Sequence, residues 1–182
     1  MTHIWYEVFS VTLVDRRAVL LQDATHPAFS PWMLSHQPNV HPNTVVIDYL
    51  HAILGRLACI EKTIVHSTSW RYDATHDWMS LTYLAILPQT NWQAQLQLGR
   101  QKITLEPIGE IAIQYGDQLF PPEHIERQHV LAHALDHLAL LNTYDPIIQA
   151  TLETEWRDIL RPRQPRPAGC LQRPPALSVA SL

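Results

Sequence analysis

Apolar and polar positions alternate along much of the chain, and the alternation divides it into paired extended segments separated by helical ones. Residues 4–14 (IWYEVFSVTLV) and 17–22 (RAVLLQ) are rich in aromatic and β-branched side chains and flank Asp15-Arg16, so they read as a hairpin. Residues 60–72 and 77–88 read as a second hairpin around Asp73-Ala74-Thr75-His76. Shorter strands are expected near 93–98 and 101–106, joined by Gly99-Arg100, with another at 109–115.

Three segments change to helical spacing. Val46, Leu50, Ile53 and Leu57 form one apolar face of a helix over 44–57 that Asn43 or Thr44 can cap. Pro121-Pro122-Glu123 opens a second helix with a stripe of Leu131, Leu135, Leu138 and Leu141. Asp145-Pro146 is a cap followed by proline at the first helical position, which starts a third helix running to about Leu160. Between the first hairpin and the first helix lies an irregular stretch, 23–43, with Pro27, Pro31, Pro38 and Pro42. A loop of that length in a small domain is often functional.

Composition narrows the class. The 182 residues suit a single α+β domain over 1–160, and their 16% charged content is well below the usual quarter, so with six tryptophans a large apolar surface must be buried or face a ligand. From Arg161 the chain turns Pro- and Arg-rich without periodicity, and 161–182 is expected to be an extended or disordered tail. That stretch offers little hydrophobic area to offset the cost of ordering it, so removal of everything after Pro162 is expected to leave the fold intact. A net charge of −4 gives no electrostatic reason to bind nucleic acid or an acidic membrane. The N-terminal residues lack a secretory pattern, no segment approaches the length of a membrane span, and Cys59 and Cys170 read as free thiols; a cytoplasmic protein is expected.

The order of hairpin, loop and helix, long hairpin, short strands and C-terminal helices resembles the Nudix fold, a mixed sheet packed between helices. The resemblance is carried by YEVFSVTLVDRRAVLLQ, by TVVIDYLHAILGRLACIEKTIVHS as helix into strand, by DWMSLTYLAILP, and by Pro-Pro-Glu before the later helix, over roughly residues 4–141. It implies ligands of the nucleoside diphosphate class and a glutamate-rich box whose carboxylates hold divalent cations. No Glu stands between Glu7 and Glu61, and the helix at 44–57 carries a single acid, Asp48, so the box is missing.

Three clusters carry candidate chemistry. Asp48 and His51 are three apart on a helix side, and with His41 and the loop residue His36 they form a candidate divalent-metal site. His129, His133 and His137, with Asp136, recur at helical spacing opposite the leucine stripe; they read as a polar outer face, with a metal-binding pair and a pH-sensitive interface as the other readings. On the strand His66-Ser67-Thr68-Ser69-Trp70-Arg71, period two places His66, Thr68 and Trp70 on one side and Arg71 on the other. That side could stack and orient a base-like ligand while Arg71 clamps a phosphate, with Trp32 in the loop as a second stacking platform.

The leading expectation is therefore a Nudix-like domain that binds a small phosphorylated or nucleotide-like ligand through Trp32, His66, Trp70 and Arg71, without box-type hydrolysis. The alternatives are a metal-dependent hydrolase built on His41, Asp48 and His51, or a non-enzymatic interaction module, including a homodimer.

Overall fold

The first hairpin forms where the alternation puts it. Strands β1 (His3–Val14) and β2 (Arg17–Asp23) pair antiparallel from Ser10–Leu21 to Val14–Arg17. Asp15 and Arg16 between them take φ of 48° and 63°, the left-handed pair that a two-residue turn between twisted strands requires. The computed structural model describes residues 3–55, 62–90, 92, 102–109 and 125–170.

Inside the irregular loop a short strand, β3 (Trp32–Ser35), pairs with the start of β1, so two strands share one edge of β1. Periodicity over so few residues between prolines is too short to register, yet Trp32 and Leu34 point in while Met33 and Ser35 point out. Helix α1 (Pro42–Leu54) begins earlier than expected: Pro42 takes a first-turn position, and His41, rather than Asn43 or Thr44, is the cap, its Nδ1 accepting the Asn43 N–H at 3.2 Å. The helix stops at Gly55, whose φ of 64° suits a residue without a Cβ.

The second hairpin is β4 (Ile64–Asp73) and β5 (Trp78–Ile86). β5 lies parallel to β1 from His3–Trp78 to Val11–Ile86, and β6 (Ile103–Pro107) closes the far edge against β2. The second helix is described as α2 (Arg127–Tyr144). The expected third helix is two: α3 (Pro146–Thr151), capped by Asp145 as the sequence indicates, and α4 (Thr154–Leu160). They separate at extended Leu152 and Glu153, where the Glu153 carboxylate takes the Gln89 N–H at 2.8 Å. A short strand, β7 (Gly169–Cys170), lies parallel to β4, giving the order β6-β2-β1-β5-β4-β7 with β3 beside β1. The expected strands at 93–98 and 109–115, the Pro121-Pro122-Glu123 helix start and Leu57 lie outside the described residues.

Helices cover both faces of this mixed sheet, which is the α+β arrangement expected. Below one face, α1 buries Val45, Val46, Leu50 and Leu54 against Tyr6, Val8, Leu34, Tyr83 and Leu87. Below the other, α2, α3 and α4 pack Leu131, Leu135, Leu138, Ile148, Trp156 and Leu160 on Phe9, Val11, Leu13 and Leu84. Among the described residues no helix is long and apolar enough to cross a membrane.

Two expectations change. Ser67 pairs with Tyr83 and Ser69 with Thr82, so Thr68 is an extra residue, a β-bulge. The bulge resets the alternation. His66, opposite Leu84, stays on the α2 face and is joined there by Ser69 and Arg71, while Trp70, opposite Leu81, turns to the α1 face. Secondly, the histidine side of α2 is not a solvated outer face, since every residue from Val130 to Ala139 is buried. What covers it is the C-terminal stretch. Asp136 bridges Arg163 at 3.2 Å and Arg166 at 3.8 Å, its backbone oxygen accepts the Arg166 N–H at 3.2 Å, and His137 Nδ1 meets the Arg166 carbonyl at 3.0 Å. Residues 163–170 are held by ion pairs and backbone bonds, which carry no apolar periodicity. Residues 171–182 lie outside the described residues.

Removing residues 163–182 therefore strips the buried Asp136 carboxylate of its bridges to Arg163 and Arg166. At neutral pH the melting temperature is expected to fall by at least about 5 °C, about 1–2 kcal/mol or more for a domain of this size. An unchanged melting curve contradicts the docking. Trp32 is 8% exposed in the α1-side core and Trp70 is 42% exposed, so chemical denaturation is expected to separate them. Trp32→Ala should cost about 3–5 kcal/mol and Trp70→Ala about 1 kcal/mol or less.

Candidate functional site

Along β1 the residues Phe9, Val11 and Leu13 fill the α2-side core, and Glu7 continues the same row to the point where α2 begins. Helix cover ends there. Glu7 is nevertheless buried, so its charge needs a partner. Arg71, brought to the same face by the bulge, forms an ion pair with Glu7 Oε2, and Thr82 Oγ1 donates to that oxygen at 3.2 Å. The other guanidinium nitrogen, Nη1, is buried and has no hydrogen-bond partner among the described residues.

This pair forms the floor of a cleft of about 660 Å³ between the sheet and the first turn of α2. Arg127, in that first turn, stands on one wall and donates to Ser30 Oγ at 2.7 Å, which ties the 23–43 loop to the helix. The hairpin turn after β4 makes the opposite wall, and Asp73 organises it. Its carboxylate accepts the Thr75 N–H at 2.8 Å, the His76 ring at 2.7 Å and the Trp78 indole N–H at 3.0 Å. The hydrogen bond from His76 is the main reason that the Asp73 carboxyl is held below its usual range. Trp78 is thereby fixed in orientation, with its ring against the cleft. It also borders an open apolar hollow of about 590 Å³ formed with His3, Trp5, Met33 and His76.

The residues singled out from the sequence do not converge on one place. Arg71 lines the cleft. His66 is on the same sheet face but further along β4, its ring 5.2 Å from that of His137. Trp32 is buried on the α1 side, tilted on Tyr49 at 6.0 Å, and Trp70 projects from that opposite face. Glu7, Arg127 and Trp78 escaped the sequence reading. Glu7 does carry a signal, as the one charged residue in an otherwise apolar or hydroxyl-bearing run from Ile4 to Val14. Arg127 has none, because only tertiary packing brings it to the loop.

His36, His41, Asp48 and His51 are likewise apart in function. His36 Nδ1 shares a 2.6 Å hydrogen bond with the Tyr6 hydroxyl, His41 caps α1, and Asp48 and His51 are exposed on the helix. Among the described residues no three His, Cys, Asp or Glu side chains are placed to hold one metal ion. Among the described residues the donor set does not fit the divalent cation that the Nudix resemblance implies.

No protein-family model and no curated protein matches the chain. Solved structures do. The crystal structure of Shewanella oneidensis NrtR complexed with a 27mer DNA superposes with a TM-score of 0.55 at 12% identity, covering 88% of this chain and 77% of that one. Shewanella oneidensis NrtR without DNA gives 0.54 at 12% identity, over 90% of this chain and 79% of that one. NrtR contains a NUDIX domain, whose separate structure with ADP ribose superposes with a TM-score of 0.38 at 12% identity, over 61% of this chain and 76% of that one. At such identities the likeness establishes architecture alone, and the architecture of this chain is a Nudix-like fold.

Proposed function

We propose that this Nudix-like domain binds a small phosphorylated, nucleotide-like ligand in the cleft over Glu7 and Arg71. The observation that carries the reading is the convergence of two arginines and an oriented tryptophan on one cleft, Arg71 and Arg127 beside Trp78. The volume, about 660 Å³, falls within the roughly 300–1,000 Å³ of small-molecule sites. Arg71 has an unused buried donor, and Arg127 is held by a neutral hydroxyl rather than a carboxylate, so both can turn toward an anion. Glu7 and Asp73 make the cleft electrostatically mixed. A ligand presenting donors as well as phosphate oxygens suits it better than inorganic phosphate.

Hydrolysis of the glutamate-box kind is no part of the reading. Asp48, the one acid on α1, faces solvent on the far side of the sheet from the cleft. NrtR has been crystallised with DNA, but the likeness extends to architecture and not to that partner, and a net charge of −4 supplies no attraction to a phosphate backbone. A second reading, self-association, is favoured by one observation: Trp5 and Met33 stand exposed beside Trp78 on the rim of the cleft. It predicts a mass that rises with concentration.

Titration calorimetry with ADP and with nucleotide sugars tests the proposal. Binding is expected, and Arg127→Ala, which removes no buried ion pair, should weaken it about tenfold or more. Absence of binding by nucleoside diphosphates and their sugar derivatives overturns the reading, as does binding that Arg127→Ala leaves unchanged. With magnesium, ADP-ribose and nucleoside triphosphates are expected to show no enzyme-like phosphate release. Turnover that Asp48→Asn abolishes would move the site to α1.

A further inference from the structure

The second histidine cluster lies under the C-terminal stretch, far along α2 from the cleft. His133, Asp136 and His137 project from one side of α2; His66 meets them from β4, and Arg163 and Arg166 meet them from the segment laid across. Two guanidinium groups therefore pair with the Asp136 carboxylate, and the imidazoles of His133, His137 and His66 lie close by without an ion pair to it among the described residues. The hydrogen bonds fix the protonation that this packing accepts. The Arg166 carbonyl can only accept, so the His137 Nδ1 beside it, at 3.0 Å, carries the proton. Its Nε2 is then the bare nitrogen, buried without a hydrogen-bond partner among the described residues. A second proton there would put a cation in a dry space, next to His66 and near the two arginines. The same carbonyl belongs to the residue whose N–H binds the Asp136 backbone oxygen, so a shift of His137 pulls on the segment's central anchor.

We propose that Arg163–Cys170 is a strap whose hold on α2 and on the β4 edge is released when the histidines beneath it take up protons. Release would undo the parallel pairing of Ser69 with Gly169 and Trp70 with Cys170, and so free an edge strand that the strap covers in the neutral state.

The pH direction follows from burial. Burial, reinforced by His137 and Arg166, lowers His133 to about 4, and burial lowers His137 as well, against the hydrogen bond to Arg166. A histidine lowered in the docked state costs nothing above its ordinary value of 6.5; docking weakens as pH falls from there toward about 4. With the strap supplying all of the lowering of His133, the docking equilibrium would fall about tenfold between pH 7.5 and 5.5, which is the upper bound because β4 also buries that ring. Burial raises the Asp136 carboxyl, an effect of opposite sign, so the histidines must be isolated by substitution.

Hydrogen–deuterium exchange of the full chain reads this directly. After correction for intrinsic rates, peptides over 163–170 should exchange faster at pH 5.5 than at pH 7.5, by up to about tenfold, while β1 keeps its protection. In His133→Gln/His137→Gln the strap should exchange no faster at pH 5.5 than at pH 7.5, since the contribution of Asp136 that remains has the opposite sign. If that variant fails to fold, which β1 exchange reports, His133→Gln alone should show a reduced pH dependence. Equal strap protection at both pH values in the native chain overturns the proposal. So does loss of β1 protection in step with the strap, or a pH dependence that survives the substitutions undiminished.

Discussion

Strand β1 is buried on both faces from Tyr6 to Leu13, and its backbone is paired along both edges. An extended segment in that position needs apolar cover above and below, because each buried apolar side chain contributes about 25 cal/mol per Å² removed from water. Tyr6 and Val8 draw α1 onto one side; Phe9, Val11 and Leu13 draw α2, α3 and α4 onto the other. Neither layer would be stable without the strand between them. The parallel neighbour β5 then sets the depth of the sheet, and β4 follows from β5 through a tight turn.

The cleft arises where this double cover runs out. Glu7 extends the α2-facing row one step beyond the helix, to a place lining the cleft yet too buried for a lone charge. A charged residue is tolerated there because Thr68 bulges and turns Arg71 toward it. The irregularity that interrupts β4 thus supplies the counter-ion for β1, and the two residues together give the cleft a polar floor. The Asp73 turn and the Arg127–Ser30 bond fix its two walls. Pre-set walls reduce the ordering cost of binding, which favours a small ligand over a large, adaptable interface.

How much of this was legible in the sequence follows from the kind of interaction involved. The hairpins at Asp15-Arg16 and Asp73–His76, the burial of Leu50 on α1 and the Asp145-Pro146 cap are local features, written in periodicity and turn chemistry. The histidine side of α2 misled because polar residues at helical spacing look the same whether water or a strap of arginines covers them. The strap itself was invisible for the complementary reason: Arg163 and Arg166 act through Asp136, distant in sequence and without apolar repeat. Thr68 shows the limit most sharply. One extra residue in β4 exchanged the faces of Trp70 and Arg71 relative to His66, and no pattern of period two can announce its own interruption.

Six tryptophans give six indole N–H resonances, each at a different place in the fold. Two-dimensional ¹H–¹⁵N spectroscopy during an ADP titration therefore reports where a ligand sits. A ligand in the cleft moves the Trp78 resonance strongly, shifts Trp5 on the adjoining rim less, and leaves Trp92 and Trp156 in the cores unmoved. Perturbation confined to Trp70, on the opposite face of the sheet, or no perturbation of Trp78 at saturating ADP, contradicts the placement of the site.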